Sequence, residues 1–279
     1  MATLEASAVQ PFPHRVEIES IAIDAFADVP SLFERLLYEI NRPKQSFFSA
    51  VNIQIMNTAY HEPDIRDFLQ QSKVVYCDGA GVVSASKLLH PKEYAITQRV
   101  TAADWLFELF EYLNEHGKTV YYLGGEPGIV EKALAIYQSR KPGVPCPVIG
   151  FHHGYILKDP QLEQRVIEDI NRLSPDLLIV AMGCPLQERW IQQNAGKLSV
   201  SVLYPIGATL DYLTEKVQRC PKWMGENGLE WIWRLALEPK RMFRRYVLGN
   251  PYFMARVWLN VLSIRTGGGK PKVHQPLIN

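Results

Sequence analysis

Asp78 stands where an apolar run, Val74 to Cys77, ends and Gly79-Ala80-Gly81 begins. A partly shielded carboxylate at such a junction has its pKa moved toward the range where it can take a proton from a substrate hydroxyl. The same position suits a helix N-cap, in which aspartate accepts backbone N–H bonds. Arg99, two residues before Thr101, offers a guanidinium to a diphosphate, or is a solvated surface charge. Gln187-Glu188, after Gly183-Cys184-Pro185, and Asp211, after Gly207-Ala208, hydrogen-bond sugar hydroxyls or cap the helices they open. Gly124-Gly125-Glu126-Pro127-Gly128 turns backbone N–H groups at a helix start toward a phosphate, although a tight strand-to-helix turn needs glycine on its own account. The run is not GxGxxG, and no acidic residue follows at the remove of a dinucleotide's ribose contact, so a nucleoside diphosphate fits better than NAD. His152-His153 has no third ligand at a metal spacing, and there is no Asp-x-Asp pair to hold a metal-bound diphosphate. These spacings lead us to expect neither a metal nor a cofactor.

A second feature is a distribution of charge. Between Lys216 and Lys272 lie twelve Lys and Arg against three Glu, a local charge of +9 within a chain whose total is +1. The remainder is therefore an acidic body. Trp223, Trp231, Trp233, Phe243, Tyr246, Tyr252, Phe253 and Trp258 are interleaved with those cations. Arginine mixed with tryptophan and tyrosine suits a diphosphate, a lipid headgroup layer or a nucleic acid, and the rings also suit the core of a small helical unit. No RNA- or DNA-binding motif accompanies the segment, which argues against a nucleic-acid partner.

These residues need a frame to hold them. The chain has 279 residues, enough for one large domain or two small ones. Its four cysteines are scattered, which fits a reduced setting, and neither a leader-like N-terminus nor an apolar run of membrane-spanning length is present. Short apolar runs predict strands at Glu17–Ile23, Ser46–Asn52, Val74–Cys77, Thr119–Leu123, Pro147–Phe151, Leu177–Ala181 and Ser201–Pro205. Helical patterns lie at Val29–Ile40, Ile53–Gln71, Thr101–His116, Pro127–Ser139, Leu162–Leu173 and Pro185–Ala195. Wholly apolar strands separated by helices predict an α/β fold, a Rossmann-like and mostly parallel sheet with helices on both faces. A basic helical C-terminal appendage follows. The expected organisation is a flexible N-terminus at 1–15, a catalytic domain at 16–214, the appendage at 215–262 and a disordered tail at 263–279. Ligands of such sheets bind at the carboxyl ends of the strands, where the polar and glycine-rich turns fall.

Read in order from about Glu17 to Val257, these turns resemble the WecG/TagA/CpsF family of bacterial glycosyltransferases, glycosyltransferase family 26. The blocks are Val51-Asn52, Asp78 to Val83, Arg99 to Asp104, Leu123 to Gly128, His152 to Tyr155, Gly183 to Glu188 and Gly207 to Asp211. In the tail they are Arg219 to Met224, Gly228 to Trp231 and Gly249 to Pro251. The resemblance implies transfer of N-acetylmannosamine, its uronic acid or glucose from a UDP-sugar to an undecaprenyl-diphosphate-linked sugar in cell-wall or exopolysaccharide synthesis. It implies an inverting, metal-independent displacement on the cytoplasmic face of the membrane, by a peripherally bound protein that self-associates in solution. Asp78 matches the family's catalytic base, and Asn52, Arg99, Gln187 and Asp211 match pocket positions. Arg234, Arg241 and Arg244 match tail arginines that close over the site and offset charge on the leaving UDP. Ala50 stands where the family commonly has Thr, Gln54 where an acid is frequent, and an insertion at His90–Tyr94 precedes Arg99. The reading kept beside catalysis is a non-catalytic UDP-sugar-binding component of a polysaccharide assembly complex.

Overall fold

The computed structural model describes residues 12–268 and 270–275. The first elements among the described residues form a hairpin, β1 (Arg15–Ile18) and β2 (Ile21–Asp24), where a single strand was expected. Glu19 and Ser20 take φ of 51° and 67° and reverse the chain between them. The sequence carries the reason. Val16, Ile18, Ile21 and Ile23 are buried, so the two-residue alternation slips by one at the turn. Then come α1 (Val29–Ile40), β3 (Ser46–Val51), α2 (Ile53–His61) and α3 (Pro63–Gln71). The last two were expected as one helix. Pro63 has no N–H to continue α2 and biases Glu62 out of the helical region, so the helix ends and restarts.

After β4 (Val74–Cys77) comes α4 (Ala80–Leu89), which is absent from the helices expected above; its apolar face is Val82, Val83, Ala85 and Leu89. Next are α5 (Ala102–Glu115), β5 (Val120–Gly124), α6 (Ile129–Arg140) and β6 (Val148–His152). They lead to α7 (Pro160–Leu173), β7 (Leu177–Ala181), α8 (Leu186–Asn194), β8 (Val202–Pro205) and α9 (Thr209–Leu213). The C-terminal part is helical: α10 (Lys222–Glu226), α11 (Glu230–Leu237), α12 (Pro239–Met242), a π-helical segment (Phe243–Leu248) and α13 (Gly249–Arg265). A two-residue strand, β9 (Val273–His274), closes the described chain.

The sheet order is β6-β5-β7-β8-β3-β4-β2-β1-β9, parallel from β6 to β2, and β1 near one edge runs antiparallel to both of its neighbours, β2 and β9. One face is covered by α1, α5, α6 and α9 through Leu32, Phe33, Trp105, Phe110 and Tyr137. The other is covered by α2, α3, α4, α7 and α8, and by α13 through Phe253, Val257 and Val261. The last helix of the expected appendage therefore belongs to the core of the sheet domain.

The described parts of the expected flexible ends are built into the fold. Arg15 opens β1, α13 runs through Arg265, and Val273–His274 pairs with β1. Residues 1–11, 269 and 276–279 of those stretches lie outside the described residues.

Candidate active site

The chain crosses from β4 to β5 over β3, β8 and β7, so the connections diverge between β3 and β8. A crevice at the carboxyl ends of such strands is where open α/β sheets bind ligands. A cavity of about 330 Å³ opens there, lined from the sheet side by Asn52, Asp78, Gly183, Gln187, Glu188 and Gly207.

Asn52 follows β3 and caps α2, its Oδ1 accepting from the N–H groups of Gln54 (3.0 Å) and Ile55 (3.3 Å). Asp78 follows β4 next to it, its N–H donating to Val51 O at 2.9 Å. The two turns touch. A Cβ on Gly79 would lie 2.7 Å from Asn52 Cβ, so only glycine lets them approach this closely. The N-cap of α4 is Gly79, with no side-chain cap, so Asp78 does not serve the helix it precedes. Its Oδ1 is buried without a hydrogen-bond partner. Burial raises the Asp78 pKa above the usual carboxylate range; Thr101 and Arg99 oppose the rise, and the negative charge of Glu230 adds to it.

Gln187 ties two loops together. Its Oε1 accepts from the N–H of Gly183 (3.2 Å) and of Gly207 (3.1 Å), and its Nε2 donates to Glu188 Oε1 at 2.8 Å. Glu188 is only 1% exposed, and its other oxygen has no partner. Burial raises its pKa too, against the hydrogen bond from Gln187.

The helical C-terminal segment supplies the remaining wall. Arg99 donates to Glu230 of α11 at 2.7 Å, a bond between the sheet domain and that segment. Arg234 is 6% exposed, donates to Glu238 at 2.8 Å and lies over the Tyr212 ring at 5.1 Å. Arg241 donates to the other oxygen of Glu238 at 3.0 Å. One carboxylate thus holds two arginines from successive helices. Arg99, Arg234, Arg241 and Arg245 all line the cavity, together with Tyr212, Trp231, Tyr246 and Asn250. Ala50 and Gln54, the two departures noted in the sequence, line it as well.

Of the residues singled out in the sequence, Asn52, Asp78, Arg99, Gln187, Glu188, Arg234 and Arg241 are brought together here. Gly124, Gly125, Asp211 and Arg244 are not among the lining residues. The glycines shape the β5–α6 turn instead. A Cβ on Gly124 would sit 2.4 Å from Ala181 O, and the N–H of Gly125 donates to that oxygen at 3.1 Å. Asp211 lies 3.8 Å from Lys216, which also pairs with Glu126 at 2.7 Å. Arg244 is exposed. His152 and His153 hydrogen-bond within their own turn, and among the described residues no group of three His, Cys, Asp or Glu is arranged to hold a metal ion.

The residues that sequence reasoning missed are Tyr212, Trp231, Arg245, Tyr246 and Asn250. Tyr212, Trp231 and Asn250 lie within or beside blocks already noted, but only the folded path of the chain turns them inward.

The sequence matches the model of the glycosyl transferase WecG/TagA/CpsF family over residues 16–267. It is 30% identical over 224 residues to the N-acetylglucosaminyldiphosphoundecaprenol N-acetyl-beta-D-mannosaminyltransferase of Bacillus subtilis, covering 80% of this chain and 83% of that protein. It is 28% identical over 212 residues to the Staphylococcus aureus protein of the same name, covering 76% of this chain and 79% of that one.

Proposed function

The chain belongs to the WecG/TagA/CpsF family of glycosyl transferases, and from that premise we propose that it moves N-acetylmannosamine from a UDP donor to an N-acetylglucosaminyl-diphosphoundecaprenol acceptor. The names of the two relatives support this sugar and acceptor over the uronic acid and glucose also implied by the resemblance. The observation that carries the reading is Asp78, a carboxyl with an unpartnered oxygen in a cavity lined also by four arginines.

The chemistry is a single displacement. Asp78 takes the proton of an acceptor hydroxyl as its oxygen bonds to C1 of the donor sugar. The bond from C1 to the diphosphate breaks on the opposite side, its electron pair leaves with UDP, and the anomeric centre inverts. Charge grows on the departing diphosphate, and arginines already held in place stabilise it without the cost of reorganising solvent. The paired cations Arg234 and Arg241 serve this end, and no step needs a metal ion. Asn52, Gln187 and Glu188, which line the same cavity, are assigned to the sugar hydroxyls.

The acceptor's polyprenyl chain requires a lipid surface. No helix among the described residues is long and apolar enough to cross a membrane. The exposed side of α13 carries Tyr252, Trp258, Leu259 and Leu262, and Arg244 and Arg265 are exposed as well, which fits a peripheral contact with an anionic leaflet.

The test is UDP release from UDP-N-acetylmannosamine and a short-chain N-acetylglucosaminyl-diphosphate lipid in the presence of EDTA. We expect release from the wild-type protein, and Asp78→Ala and Arg241→Ala should each lower it by about a hundredfold or more. Full activity in both variants, each normally folded, would sink the proposal. UDP binding with no turnover of any UDP-sugar would instead identify a non-catalytic binding component.

A further inference from the structure

We propose that Glu188 is the specificity residue for the acetamido group of the donor sugar, its carboxyl donating a hydrogen bond from Oε2 to the acetamido carbonyl. The inference rests on the donor proposed above and narrows the assignment of Glu188 from the sugar hydroxyls to one substituent.

Among the described residues, two carboxyl oxygens of the cavity lining are buried without a hydrogen-bond partner, Asp78 Oδ1 and Glu188 Oε2. The first has its use in the displacement. The second is placed by bonds that leave one arrangement of its atoms. Gln187 Oε1 accepts from two backbone N–H groups, those of Gly183 and Gly207, at 3.2 and 3.1 Å. Only the oxygen of that amide can accept both, so its nitrogen is the end that meets Glu188, donating to Oε1 at 2.8 Å. Glu188 Oε1 is thereby fixed as an acceptor, and Oε2 is the atom left to carry the proton of a neutral carboxyl.

The surroundings favour that neutral form. Glu188 is buried and makes no ion pair among the described residues. The cation next to it in sequence, Arg189, turns instead to Asp64 and Glu62, at 2.8 and 2.6 Å. Burial raises the Glu188 pKa; hydrogen bonds from Gln187, its own N–H and Cys184 oppose the rise, as does the charge of Arg189. The Cys184 thiol is itself pushed up by burial and so stays uncharged, with Arg245 and Glu62 acting on it in opposite senses. An arriving diphosphate adds negative charge to the cavity, which further disfavours ionising a carboxyl there. Asp78 differs in having the Arg99 cation among the groups that oppose its rise. Two carboxyls in one cavity thus take two roles, one accepting a proton and one keeping it.

A neutral carboxyl that accepts at one oxygen needs an acceptor for its O–H. In an N-acetylhexosamine each hydroxyl brings a donor of its own, whereas the acetamido carbonyl only accepts and is the stronger acceptor. The proton stays on Glu188 throughout, and no covalent bond changes at this residue.

The experiment uses the full chain and measures by calorimetry the affinities for UDP, UDP-mannose and UDP-N-acetylmannosamine. The two sugars differ only in carrying a hydroxyl or an acetamido group at C2. Wild type should bind the acetamido sugar about tenfold more tightly than UDP-mannose, the size expected for satisfying one buried donor. Glu188→Ala should lose that preference and still bind UDP as wild type does. Glu188→Gln, whose amide accepts at one end and donates at the other, should keep most of it. As pH rises through the native pKa of Glu188 the donor is lost, so the wild-type preference should fall while that of Glu188→Gln stays level. If Glu188→Ala fails to fold, Glu188→Met fills the volume and carries the same expectation. A preference unchanged in the folded Ala or Met variant, lost in Glu188→Gln, or growing with pH in wild type overturns the inference. An equal loss of affinity for UDP overturns it too, because the contact would then be to the diphosphate. Each of these results leaves the transferase reading intact, whereas failure of the wild-type protein to bind UDP overturns both.

Discussion

A carboxyl that is to accept a proton must not spend its charge on a neighbour. Asp78 meets that condition at one oxygen: Oδ1 has no partner and α4 is capped without it, while Thr101, Arg99 and Asn52 hold the charged form only in part against burial. Burial holds its pKa above the ordinary value, so the carboxylate that the proposed mechanism requires forms only as pH rises through that higher value. The acidic limb of the rate profile should therefore lie above the range of a free aspartate. Stability runs the other way. The native state binds this proton more tightly than the unfolded chain, so its contribution is present at low pH and is lost as pH rises through the native pKa. Asp78→Asn should consequently cut kcat by about a hundredfold or more while leaving the neutral-pH unfolding midpoint equal to or above that of wild type. A fall in that midpoint with unchanged kcat would mean the group is structural. Asp78 and Asn52 were legible because each sits at a strand end, and Gln187 because it opens the helix after a glycine-rich turn, where residue type and position carry the signal. Gly124 and Gly125 gave the same signal for another cause, a backbone approach that excludes any Cβ. Arg245 also lines the cavity, four residues after Arg241, a spacing that an α-helical reading of the tail puts on the same face.

Elements set the positions of those residues, and one contact fixes the longest helix to the body. Arg256 of α13 donates to both oxygens of Glu19 in the β1–β2 turn, at 2.6 and 3.0 Å, and to Asn57 of α2 at 2.9 Å. Its guanidinium is also within 4.2 Å of the Tyr60 ring and 4.4 Å of the Tyr252 ring. The positive φ of Glu19 brings its carboxylate to this place, so the slip in the strand pattern has a structural use. Truncating one partner of a buried ion pair strands the other charge and typically costs about 3–5 kcal/mol. Arg256→Ala should lose stability in that range in urea unfolding, with α13 loosened from α2 and α4. A loss below about 1 kcal/mol would show that apolar packing alone holds the helix. The parallel strands were readable because they are apolar on both faces. The hairpin was not, because a one-residue phase change inside a short apolar run resembles a single strand. The break at Pro63 was visible in principle, yet the apolar pattern runs across it.

At the scale of the whole molecule the uneven charge acquires a direction. The cationic segment, +9 by sequence, folds along the mouth of the cavity and then packs as α13 against the sheet domain. Its helix is apolar on two sides. Phe253, Val257 and Val261 face the core, and Trp258, Leu259 and Leu262 face outward at 48%, 67% and 54% exposure. Outward apolar groups on a fixed helix lower the free energy of contact with an acyl layer, and the surrounding cations add attraction to anionic headgroups that falls as salt screens it. We therefore expect the protein to sediment with anionic vesicles and to be released progressively by added salt. Leu259→Glu combined with Leu262→Glu should abolish that binding, because two carboxylates would enter the headgroup region with no cost to the core. The same double variant should lose most of its activity on a long-chain acceptor held in vesicles and keep it on a water-soluble short-chain acceptor. That split separates docking from chemistry: equal losses on both acceptors would place the damage in the cavity, and unchanged vesicle binding would remove the outward face of α13 from the membrane contact.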